Sequence, residues 1–443
     1  MHFIVNNNSN SNNNFFEETK LGFFFFILGI FFLPSTLLIG SFFLLIAGLI
    51  GSFKQKSYFN DKWNLMLFSS GILMLLSCIL QKFFLSNIYS DILNSNLSFI
   101  GLGNWLPLFW LFWTLQTYLD STRKRRIFAI SLISGSLPVI LTGFAQYFFN
   151  INGPFKTLNG LIIWYQRPIE EPAGLSGLFS NQNYAGSWLC IVWPFCLALI
   201  LDNWDVFHKR IIEYFFLISV GLAAFLTNSR NAWLGIITSI PIMILKRKIH
   251  LYVFSILISS IVSLYLIFPN LDSETQKTII NLIPNTIMNE FSQDGYIGLD
   301  VSRLEIFANA INYIIQSPLF GYGSTSFTKI FQYKTGFWKG HSHNLLFELA
   351  LSYGIPVAIL LFSTISSTLI FSFKKIFIKN NFTIYEKAFW ASSFTFLLSQ
   401  LVDIQYFDGK ISIIFWILLA GLKNIITAKK ENKNISLLKI NVK

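Results

Sequence analysis

Apolar runs close to the ~20 residues that an α-helix needs to cross the hydrocarbon core of a bilayer recur from one end of this chain to the other. No other feature restricts the fold so strongly. In lipid every backbone N–H and C=O must find a partner within the protein, so a chain built of such runs folds as a bundle of helices. About twelve runs can be marked: 16–33, 36–53, 63–81, 104–119, 127–149, 184–201, 212–228, 231–245, 251–268, 344–371, 388–402 and 411–426. The first two form a hairpin broken at Pro34-Ser35, where proline removes a backbone donor. A content of 53% hydrophobic and 12% charged residues excludes an ordinary soluble domain. The expected fold is therefore all-α: a polytopic transmembrane helix bundle over 16–426, flanked by an Asn-rich disordered tail (1–15) and a basic tail (427–443).

The formal net charge of +12 does not point to nucleic acid, because the basic residues fall in short clusters between apolar runs and not along one face. With the N-terminus inside, Lys54, Lys56 and Lys62, then Arg123 to Arg126, Lys209 and Arg210, Lys246 to Lys248, and Lys374, Lys375, Lys379 and Lys387 all fall on the cytoplasmic side. This is the positive-inside pattern. It places both termini of a multi-pass membrane protein in the cytoplasm. No A-x-A cleavage site follows the first run, so that run is expected to stay. Cys78, Cys190 and Cys196 lie in apolar stretches without metal-ligand or disulfide spacing, and packing explains them.

Two connections are too long to be turns, about 150–183 and 269–343, and both fall on the outer side. In the second, Leu304, Ile306, Phe307, Ala310, Ile311, Ile314 and Ile315 recur with helical period, and Asp300 or Ser302 can cap the start. An amphipathic helix across the mouth of the bundle is expected there.

The outer side also collects the residues suited to chemistry. Of five histidines only His341 and His343 face outward, in Gly340-His341-Ser342-His343-Asn344. Histidine is the side chain most easily poised for proton transfer near neutral pH. An interfacial pair that caps a helix or holds stray metal is the plain alternative; a zinc site would want a third ligand, and no further histidine lies outside. Arg230 sits in a short outer turn and Arg303 at the start of the loop helix, where a guanidinium can fork onto phosphate oxygens. Headgroup contact for Arg230, and a salt bridge to Asp300 or Glu305 for Arg303, are the competing readings. Asn183 offers both donor and acceptor to a polar substrate or a neighbouring helix, although helix capping explains it as well. Asn344 lies where the long loop re-enters the membrane. Glu348, four residues on, can orient a histidine or pair with an arginine.

Four segments, in order, resemble the O-antigen ligase and polymerase family of bacterial membrane proteins. They are Gly177-Leu178-Phe179-Ser180-Asn181-Gln182-Asn183-Tyr184-Ala185; Ser229-Arg230-Asn231-Ala232-Trp233; Ser302-Arg303-Leu304 followed by Pro318-Leu319-Phe320-Gly321-Tyr322-Gly323; and His341-Ser342-His343-Asn344 followed by Glu348 and Gly354. They cover about 177–360. The resemblance implies a metal-independent membrane glycosyltransferase of the GT-C-like, all-helical type, without cofactor, that moves a glycan from a polyprenyl (undecaprenyl) diphosphate to a hydroxyl on a glycolipid or glycan acceptor at the periplasmic face. It implies that His343 is the base, with Arg230 and Arg303 holding the diphosphate and Asn183, Asn344 and Glu348 in support. His341 departs from the family pattern and leaves the identity of the base open. A repeat-unit polymerase, an anion transporter such as one for bicarbonate, and a structural membrane subunit stand as alternatives. Against transport, the polar residues gather at one face and no internal repeat is evident.

Overall fold

The computed structural model describes residues 8–55, 58–83, 89, 91–169, 173–202, 210–244, 301, 303–378 and 383–428, with side chains from Lys20 onward. Helices dominate them. In chain order they are α1 (Asn8–Phe32), α2 (Leu37–Ser52), α3 (Lys62–Phe83), α4 (Ser95–Gly101), α5 (Leu106–Thr114), α6 (Thr122–Gly135), α7 (Leu137–Phe149), α8 (Gln182–Leu201), α9 (Ile211–Leu226) and α10 (Arg230–Ile244). After the undescribed stretch follow α11 (Arg303–Gln316), α12 (Ser326–Thr335), α13 (Leu345–Tyr353), α14 (Ile355–Phe373), α15 (Ile384–Ser399) and α16 (Gly409–Thr427). Among the described residues six helical stretches are long and apolar enough to cross a membrane: 62–83, 95–118, 122–149, 182–201, 355–378 and 409–427. Three apolar helices, at 20–32, 37–52 and 211–226, are shorter. The expected run at 251–268 lies outside the described residues, as do Asp300, Ser302 and the first part of the second long loop, 269–300.

Several expectations are refined. The tail taken as unstructured through residue 15 is helical from Asn8. The first long loop carries a small antiparallel hairpin, β1 (Phe155–Thr157) with β2 (Ile162–Trp164), in an otherwise helical fold. The run 344–371 is two helices, because Gly354 adopts φ +93°, a backbone conformation costly for any residue with a Cβ. The turn at Pro34 stands where the sequence breaks, and α1 and α2 then pack closely through small residues: a Cβ on Gly40 would lie 2.5 Å from the Leu33 Cα.

α16 is the most enclosed of the spans, with 83% of its apolar window buried. It packs against α5, α14 and α15. At one end of the bundle the charged connections meet: Lys423 pairs with Asp61 at 2.6 Å, Arg126 with Asp202 at 3.6 Å, and buried Arg125 with buried Glu386 at 2.8 Å. Glu386 also accepts from the Thr383 amide at 2.8 Å and the Thr122 hydroxyl at 3.1 Å, so its lone pairs are filled. A buried ion pair is tolerable only when satisfied in this way. These are connections that the charge pattern assigns to a single side; among the described residues the turn at Pro34, the first long loop and the α15–α16 connection meet elsewhere, at the opposite end, where Lys410 donates to the Pro34 and Leu178 carbonyls at 2.9 and 2.8 Å.

Candidate active site at the opposite end of the bundle

The break at Gly354 sets the frame. Ending α13 inside the apolar region frees carbonyls, and side chains from α3 take them up: Ser77 donates to the Tyr353 carbonyl at 2.9 Å and Gln81 to the Ser352 carbonyl at 3.1 Å. The loop Pro318 to Gly323 docks on the same break. Tyr322 and Gly323 donate their amides to Leu351 and Ser352 at 2.7 and 3.1 Å, and Ile355 donates to Pro318 at 2.7 Å. Gly321 and Gly323 both have positive φ, and a Cβ on Gly321 would collide with the Leu351 backbone. These glycines therefore serve backbone-to-backbone packing, and through it they fix where α13 ends.

Asn344 caps α13, accepting from the Leu346 and Phe347 amides at 3.0 and 3.2 Å. Its side-chain amide donates to the Leu401 carbonyl at 2.9 Å, and the Leu345 amide donates to the Gln400 carbonyl at 2.9 Å. The turn that carries the histidines is thus stitched to the α15–α16 connection. Glu348, buried, accepts the Ser342 amide at 3.0 Å; it holds the turn and touches neither ring nor guanidinium in these contacts.

That connection supplies Asp403, which residue-by-residue reading of the sequence overlooks. Its Oδ1 lies 2.8 Å from His343 Nδ1, while Oδ2 accepts from Gln405 Nε2 at 2.8 Å and Asn183 Nδ2 at 3.3 Å. Gln405 is held by buried Gln400, whose Nε2 donates to Gln405 Oε1 at 2.9 Å and whose Oε1 accepts the Gln405 and Tyr406 amides. Burial alone would raise the Asp403 carboxyl, but the hydrogen bond and charge of His343, followed by the charges of His341 and Arg303, hold it below the usual carboxylate range. An ionised carboxylate only accepts, so His343 carries its proton on Nδ1 and keeps the Nε2 lone pair.

Asn183 is not the cap of α8. Asn181 takes that place, accepting from Tyr184 at 3.0 Å, and leaves Asn183 to reach Asp403. Arg303 opens α11, whose Phe307 packs edge-on against Phe347 of α13 with centroids 5.6 Å apart. Its charge acts on both His341 and Asp403. Arg230 opens α10, exposed, beside Ser229, against which Gly186 of α8 packs so closely that a Cβ there would lie 2.8 Å from the Ser229 Cβ. Gly186 stands one turn from Asn183. The structure thus gathers His341, His343, Asn183 and Arg303 around Asp403, with Asn344 and Glu348 shaping the turn and Arg230 at the same end of α8 and α10.

One sequence expectation changes its basis. A metal site seemed to lack a third ligand, yet His341, His343 and Asp403 offer three ligand atoms within 4.8 Å of one another. The hydrogen bonds of the turn oppose such use. His341 Nδ1 accepts the His343 amide at 3.1 Å, whereas a cation on Nε2 would force a proton onto Nδ1, facing that N–H.

Residues 214–362 match a family model described as O-Antigen ligase, which supports the family resemblance carried by the sequence motifs. The match takes in Arg230, Arg303, both outer histidines, Asn344 and Glu348; Asn183 and Asp403 lie beyond it. No curated protein matches the chain.

Proposed function

We propose, taking membership of the O-antigen ligase family as the premise, that this membrane protein transfers a glycan from a polyprenyl-diphosphate donor to the hydroxyl of a glycolipid or glycan acceptor on the periplasmic side. The observation that carries the reading is the pairing of His343 with the buried Asp403 carboxylate, close to Arg303. His343 Nε2 takes the proton of the acceptor hydroxyl as its oxygen attacks the anomeric carbon. The bond from that carbon to the diphosphate oxygen breaks, and the lipid diphosphate leaves with the electron pair. Arg230 and Arg303 compensate the departing charge, an interaction that strengthens as the charge develops and so lowers the barrier. Asp403 keeps the proton on Nδ1 and stabilises the imidazolium that forms. The donor and acceptor must both reach one end of the bundle, and the ionisable cluster stands there and not midway along the spans. That placement gives no support to the transport reading.

Turnover of a lipid-linked donor by the purified protein tests this. His343→Ala is expected to lower kcat by about 10²- to 10⁴-fold, the usual worth of a general base, and Asp403→Asn by a comparable factor through the wrong tautomer. A chelator is expected to leave turnover unchanged. Equal turnover in His343→Ala removes the base assignment. For the clamp, Arg230→Lys and Arg303→Lys keep charge but lose the fork, and weaker binding of the diphosphate lipid is expected in each; unaltered binding in both would count against it. In cells, a deletion strain that accumulates free lipid-linked polymer identifies a ligase, and one that displays single capped repeats identifies a polymerase.

A further inference from the structure

His341 stands next to the proposed base, and its role has to come from its own contacts. Its Nδ1 accepts the backbone N–H of His343 at 3.1 Å. The two rings lie edge to face, centroids 4.4 Å apart with planes at 65°. His343 itself sits at φ +55°, in the left-handed region that a non-glycine residue keeps only where its surroundings hold it there. The bond from the His343 amide to the His341 ring is one such restraint; the Ser342 amide on Glu348 is another. The carboxylate does not divide itself between the rings, since His341 Nε2 is 3.9 Å from Asp403 Oδ1, beyond hydrogen-bonding distance.

We infer that His341 is a positioning residue: its Nδ1 locks the strained His343 backbone so that the His343 ring meets Asp403, and it does not itself accept the substrate proton. A neutral imidazole whose Nδ1 lone pair receives an N–H carries its own proton on Nε2. No lone pair is left for an acceptor hydroxyl unless the lock is first released. Burial, reinforced by the neighbouring His343, also pushes the His341 pKa down to about 4, so the ring is uncharged at neutral pH and places no second cation beside the His343 imidazolium.

The inference rests on His343 as base, and three substitutions separate the two claims. In His341→Asn the side-chain oxygen falls near the position of Nδ1 and can receive the His343 amide. In His341→Gln the polar group falls near Nε2, and in His341→Ala neither position is filled. With the full-length protein and a lipid-linked donor, His341→Asn is expected to keep kcat close to wild type. The Gln and Ala variants are expected to lose on the order of 10²-fold in kcat, with KM little changed, as a base misplaced by about 1 Å does. Thermal midpoints of the Asn and Gln variants, similar in size, guard against a general loss of fold. Should Asn be as impaired as Ala, or Ala as active as wild type, the lock is wrong. A loss in His341→Asn as deep as that in His343→Ala would make His341 the base. If His343→Ala keeps its turnover, the reading of the whole site falls; if only the Asn–Ala split is missing, the site stands and the positioning role goes.

Discussion

At the level of single residues, the proposed chemistry gives two neighbouring histidines different duties. The aspartate fixes the tautomer of one, and the backbone of that one occupies the other. Their surroundings also set how the protein responds to acid. His341 has a folded pKa near 4 against 6.5 for the free side chain. Between those values the unfolded chain binds a proton that the folded chain refuses, so stability falls as pH drops from about 6.5 towards 4. Asp403, held below its ordinary value, adds stability that is present above about 3.8 and is lost only at still lower pH. The apparent thermal midpoint in detergent is expected to be lower at pH 5 than at pH 7, and His341→Asn should flatten that difference. An undiminished slope in the variant would assign it to another group.

At the level of elements, the decisive feature is a helix interrupted at one glycine. Gly354 takes φ +93°, and a Cβ there would run into the Leu319 carbonyl. Gly354→Ala is therefore expected to cost more than about 1 kcal/mol, read as a lower thermal midpoint, and to lower turnover by displacing the end of α13 and, with it, the helix that carries the histidine turn. An unchanged midpoint would mean that the loop can move aside. Hydropathy could not reveal this break, because the apolar run continues through Gly354 on both sides; the signal it left in the sequence is Gly354 followed by Pro356 in the first turn of the next helix. The amphipathic helix was legible: Ile306, Ala310 and Ile314 are buried, while Leu304, Ile311 and Ile315 are exposed, so only part of the periodic set faces the bundle. His341, His343, Asn183 and Arg303 could be read as one site from order and loop side. Asp403 could not, since it follows an apolar run with no motif around it. One signal was present: it is an acidic residue at the outer end of a run in a chain with only 21 acids.

For the whole molecule, the charge pattern predicts a sidedness: among the described residues the ion-paired connections of Asp61, Arg125 and Arg126 meet at one end and the histidine turn lies at the other, and the orientation of those ends across the membrane is the prediction. All three cysteines are buried, which leaves little background for thiol labelling. In spheroplasts, Lys339→Cys, two residues before His341, is expected to react with a membrane-impermeant maleimide. Asp120→Cys, whose native side chain is half exposed beside Lys124, should react only after permeabilisation. The reverse pattern would invert the protein and move the chemistry to the cytoplasm.

The carbonyls freed where α13 stops are answered by Ser77 and Gln81, which lie far upstream in the chain and outside the matched family segment. A histidine turn transplanted into a foreign bundle would thus arrive with its scaffolding missing. Chimeras that exchange only the later half of this chain should inherit a frayed pocket unless the third helix travels with it.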